Sequence, residues 1–169
     1  VIKKSPVPAL FVWLFISALM SHAAHTYLAG FVWTLQETWK LNFFGIMFFL
    51  VLDRPSRLRT VAWVFVGMAC VMSVHALMQQ RLGYGFGGQP PIYGNRPGSD
   101  EPILRTVFYG IFEDPNDLAQ ILGASIPFAF ALFRARNLLT TAVGIGISYL
   151  LVLATLSTES RGGLLGLIA

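Results

Sequence analysis

The chain has 169 residues, 55% of them hydrophobic and only 12% charged, with a mean hydropathy of +0.64. A soluble domain carries about 25% charged residues, so charge this sparse, gathered between apolar runs of nearly bilayer length, excludes an ordinary soluble domain and points to an integral membrane protein. The net charge of +4 is distributed by loop, which argues against a nucleic-acid partner, and the single cysteine, Cys70, leaves neither a disulfide framework nor a CxxC pair for zinc.

Apolar runs lie at about 8–25, 41–52, 60–80, 117–133 and 138–156, and a sixth begins at Gly162. They predict an all-α fold, a polytopic transmembrane helical bundle of about five spans plus the start of a sixth. Residues 1–169 read as part of a single transmembrane domain, a fragment truncated at both ends. The chain opens on Val1 and stops in an apolar run not yet of spanning length. Lys3, Lys4 and the small residues near Ala23 give the first run some features of a signal peptide. An internal span is the reading adopted.

Between the first two runs, Leu28, Phe31, Val32, Leu35 and Trp39 fall at helical spacing on one face. This predicts an interfacial helix, with Tyr27, Trp33 and Trp39 at the headgroup level. The third run would be about 30 Å long at 1.5 Å per residue, matching the hydrocarbon core. His22, His25 and His75 are expected at one membrane level; a metal site is conceivable there, but histidines bonded to backbone or water are the commoner case.

Orientation follows from the basic residues, because short loops rich in Lys and Arg stay cytoplasmic. Lys3, Lys4, Arg54, Arg57, Arg59, Arg134 and Arg136 fall in alternate loops with one acid, Asp53. The opposite loops are therefore assigned outside, including the long connection 81–116 and the segment from Ser157 to Arg161. "GYGFGG" in that connection matches GxGxxG literally, but with no strand before it and no helix opening on it, nucleotide binding is rejected. It is expected to be a flexible loop.

"EDPNDLA" precedes the fourth run. Asp114 is placed as a helix N-cap, Pro115 as the first helical residue and Asp117 as the partner in a capping box. Glu113 and Asn116 are not explained by capping. "GIG" at 144–146 and "GGLLG" at 162–166 would allow close helix approach. Arg161, beside Ser160 and Gly162 at a helix mouth, supplies a planar guanidinium next to free backbone N–H groups, a combination suited to phosphate. Arg105 is a candidate second cation.

Taken in order, Arg105 to Ala119 ("RTVFYGIFEDPNDLA") and Thr155 to Gly163 ("TLSTESRGG") resemble the two signatures of the O-antigen ligase and polymerase superfamily, over about residues 60–169. Glu159 stands where that pattern has a small or neutral residue. The resemblance implies a multi-pass glycosyltransferase of the bacterial inner membrane that needs no metal or cofactor. It would move a glycan from an undecaprenyl diphosphate carrier to an acceptor sugar, such as a glycan or a lipid A-core-like molecule, on the periplasmic face. Its products would belong to lipopolysaccharide or exopolysaccharide assembly. Arg161 and Arg105 match the positions expected to hold the donor diphosphate, and Asp114, Pro115, Asn116, Ser160 and Gly162 those that shape the pocket. The proposed base lies beyond Ala169, so residues 1–169 alone are expected to be inactive. Two other classes compete: a flippase or other transporter of lipid-linked oligosaccharide, which predicts charges deep within spans, and a non-catalytic assembly partner, for which Arg161→Lys would be silent.

Overall fold

A computed structural model describes residues 6–52, 54–95, 101–133 and 137–168. The chain is all-α, apart from one short hairpin, and four helices are long and apolar enough to cross a membrane: Val7–Ala24, Pro55–Leu82, Pro115–Phe133 and Leu138–Ser157. It is a membrane protein. Lys3, Lys4, Asp53, Arg134 and Arg136, on which part of the charge-based orientation rests, lie outside the described residues.

Two compact units divide between Leu58 and Arg59. The first contains α1 (Val7–Ala24), α2 (Leu28–Trp33) and α3 (Trp39–Val51). A π-helical segment, Thr34–Thr38, joins α2 to α3, so the amphipathic segment expected at the interface runs without a break into the second apolar run. That run is short as a helix of its own, with 13 residues in α3, and is not among the four helices of spanning length and composition. Gly45 brings α3 close to α1: a Cβ there would lie 2.9 Å from the Phe11 ring. His22 packs its ring against Tyr27 at 5.8 Å.

The second unit contains α4 (Pro55–Leu82, from Arg59 onward), a hairpin of β1 (Ile92–Asn95) and β2 (Pro102–Arg105), α5 (Pro115–Phe133), α6 (Leu138–Ser157) and α7 (Arg161–Ile168). Its core joins Val66, Ala69, Met72 and Ala76 of α4 to Leu118, Leu122 and Ala129 of α5 and to Leu151 and Ala154 of α6. These positions recur three and four apart, which places one stripe of each helix inside and leaves the rest apolar and outward, as lipid requires. Small residues in the stripes let the backbones approach. A Cβ on Gly163 would lie 2.5 Å from that of Ala119, and one on Gly144 would lie 2.6 Å from that of Phe133. Gly146 and Gly166 face open space.

The first turn of α6 is closed locally. The Asn137 side chain accepts from the Thr140 N–H at 2.8 Å, and Thr140 Oγ1 accepts in return from the Asn137 N–H at 3.3 Å. This reciprocal capping box satisfies two backbone donors at the start of α6.

Candidate functional site

The start of α5, the end of α6 and the start of α7 meet at one end of the second unit. At α5, Asp114 Oδ1 accepts the Asn116 N–H at 2.7 Å, and buried Pro115 is the first helical residue, both as expected. The box with Asp117 does not form among the described residues. An aspartate is one methylene shorter than the Glu or Gln that normally reaches back to the cap, and Asp117 stays exposed.

Asn116 joins what lies far apart in sequence. Its Oδ1 accepts the Ser160 hydroxyl at 2.8 Å and, at a long 3.5 Å, Nη2 of Arg105. Ser160 is 4% exposed. Its Oγ also accepts the Gly163 N–H at 3.0 Å, which makes it the N-cap of α7. Between α6 and α7, Glu159 takes a left-handed conformation, φ 51°, and its side chain is exposed.

Arg105 is half-buried and its Nε donates to the Thr158 carbonyl at 3.3 Å. The next two residues are bonded to other walls. Thr106 N–H reaches the Ser157 carbonyl at 3.4 Å, and the two hydroxyls stand 3.1 Å apart. Since Ser157 donates its proton to the Ala154 carbonyl at 2.7 Å, Thr106 is the donor of that pair. Val107 N–H reaches Gln79 Oε1 on α4 at 2.9 Å. Three successive residues thus tie α4, α5 and α6 together, and Arg105 keeps other guanidinium N–H groups without a partner among the described residues.

Arg161 begins α7 with its side chain exposed and, among the described residues, without a hydrogen-bond or ion-pair partner. It lines a surface cleft of about 240 Å³ with Thr155, Leu156, Glu159, Ser160 and Leu164. Glu159 and Arg161 share the cleft without forming an ion pair. The backbone N–H groups of Arg161 and Gly162 have no acceptor among the described residues, because the Ser160 cap takes only the third N–H of the helix. Two donors and a cation thus belong to the first turn of one helix, an arrangement chemically suited to an anion.

All seven sequence-selected residues except Gly162 therefore make a defined packing, bonding or cleft contact; Gly162 lies open, with Ser160 Oγ 3.8 Å from where its Cβ would be. Among the described residues no group of three His, Cys, Asp or Glu side chains is gathered for a metal. Sequence reasoning missed Gln79, Thr106 and Thr158. Only Gln79 left a usable signal, as an amide one helical turn after His75 at the end of an apolar run. No protein-family model, curated protein or solved structure matches the chain.

Proposed function

We propose that the protein works in cell-surface polysaccharide assembly as a glycosyltransferase of the O-antigen ligase or polymerase type. In this reading it transfers or polymerises a glycan carried on undecaprenyl diphosphate onto an acceptor sugar, at the outer face of the bacterial inner membrane. One observation carries the reading: the oxygen of Asn116 receives both Ser160 and Arg105, so two signatures 44 residues apart are held at a single helix mouth.

In this scheme Arg161 is the principal diphosphate ligand. Its fork and the adjoining N–H groups gain strength as negative charge builds on the departing carrier phosphate. Arg105, held by Thr158 and Asn116, adds a second positive charge, while Asp114, Pro115 and Ser160 keep both helix starts in place and Gly162 leaves the approach unobstructed. The acceptor hydroxyl must lose a proton, and none of these residues is assigned as its base.

The deciding experiment compares Arg161→Lys with the unchanged protein, at its natural length, in transfer from a lipid diphosphate donor. Lysine retains charge but not the bidentate contact, so transfer should fall by about a hundredfold, the scale of removing one transition-state donor. Unimpaired transfer by the lysine variant would reduce Arg161 to an interfacial anchor.

A further inference from the structure

The connection between α4 and β1 is folded against α4, and its level can be worked out. α4 has 28 residues and is about 42 Å long, some 12 Å more than a hydrocarbon core. Its uncharged, mainly apolar part, interrupted by Ser73 and His75, runs from Val61 to Met78, about 27 Å, and is bounded by Arg59 and Thr60 at one end and by Gln79, Gln80 and Arg81 at the other. His75 lies within the last apolar turn.

After Leu82 the chain does not leave along the helix axis. The Phe86 N–H donates to His75 Nδ1 at 3.0 Å, which brings Phe86 back about 10 Å below the level of Leu82, at 1.5 Å per residue. Gln79 Nε2 donates to the carbonyls of Gln89 and Pro90, both at 3.3 Å. Gly85 permits the approach, because a Cβ there would fall 2.3 Å from the imidazole.

Irregular backbone at such depth is tolerated only where its polar groups are satisfied. Here most are: the N–H groups of Gly83, Gly85, Gly88 and Gln89 bond within the segment or to α4, that of Phe86 bonds to His75, and Pro90 and Pro91 have none, while those of Tyr84 and Gly87 have no partner among the described residues. The Phe86 carbonyl accepts the Tyr109 hydroxyl. Residues 83–95 carry no charge, and they turn Tyr84 (51% exposed) and Tyr93 (69% exposed) outward. Exposed tyrosines are enriched where acyl chains meet headgroups.

We propose that residues 83–93 form a re-entrant aromatic collar seated at the headgroup–acyl boundary of the leaflet where α4 emerges, with His75 and Gln79 as its anchors. The partner is the lipid surface itself, bound through rings and without charge. This explains why a histidine and a glutamine are buried at the end of an apolar span: they supply the bonds that water cannot supply there. The collar does not depend on the transfer reading.

The test places single nitroxide labels on the full chain in a Cys70→Ser background, reconstituted in phosphatidylcholine vesicles with and without phosphatidylglycerol. Labels at Tyr84→Cys and Tyr93→Cys are compared with Val64→Cys, on the outward face of α4, and with Glu113→Cys at a helix mouth. Collision with oxygen reports lipid and collision with an aqueous nickel chelate reports water. Both collar sites should show a ratio of oxygen to nickel collisions shifted from that of Glu113→Cys toward that of Val64→Cys, irrespective of anionic lipid. Adding Gln79→Leu should move Tyr93→Cys back toward water. Collar labels as open to nickel as Glu113→Cys, or a signal that follows the phosphatidylglycerol content, would overturn the proposal. Because the two tyrosines are exposed and are labelled separately, poor folding of one variant leaves the other to decide.

Discussion

Asn116 has more consequence than its exposure implies. Its single carbonyl oxygen is the acceptor for a buried hydroxyl and for a guanidinium. Asn116→Leu would leave the buried Ser160 hydroxyl without its acceptor and remove one of the two bonds of Arg105, and an unsatisfied buried donor costs about 1–3 kcal/mol. The expected outcome is a clearly lower thermal midpoint for the detergent-solubilised protein; Asn116→Asp, which keeps the acceptor beside Arg105, should lose much less. The cap formed by Asp114 and Pro115 is legible in "EDPND", since capping is a contact between neighbours in sequence. The bond to Ser160 is not legible in that way. No local rule connects positions 44 apart, and only the resemblance put the two in one pocket.

Among the elements, α7 shows how a repeated residue type takes different roles. "GGLLG" reads as one small-residue stripe, but at 100° per residue only Gly163 of the two adjacent glycines faces α5, against Ala119. Gly163→Val should therefore overpack the contact and destabilise by about 1–3 kcal/mol. Gly162→Ala, in open space, should leave the unfolding midpoint unchanged or slightly raised. Unfolding of the two variants side by side in the same detergent checks both. The loop after α4 makes contacts that the sequence reading did not place, for a related reason. Glycine and proline content names no partner, whereas the loop is bonded to side chains of the helix that precedes it, Phe86 to His75 and Gln89 and Pro90 to Gln79. The second apolar run was legible as a helix, but its length was not, because the π turn at Thr34–Thr38 leaves no compositional mark.

For the molecule as a whole, periodicity and charge were sufficient to give an all-helical membrane protein, since lipid allows so few alternatives. Hydrogen bonds add a relation that charge counting left conditional. The end of α4 (through Gln79 and Val107), the start of α5 and the α6–α7 junction lie at the same end of the second unit. In a Cys70→Ser background, Glu113→Cys and Glu159→Cys should thus react with an impermeant maleimide from one side of a sealed vesicle, and Arg59→Cys from the other. Opposite labelling of the two glutamate positions would contradict the arrangement. The α5–α6 pair is also held at two levels, by Gly144 packed tightly against Phe133 toward one end and by the Asn116–Ser160 bond at the other. A pair held at both levels cannot slide lengthwise without breaking one of these contacts, so it acts as a strut. Whatever arrives at the mouth meets a shape already set.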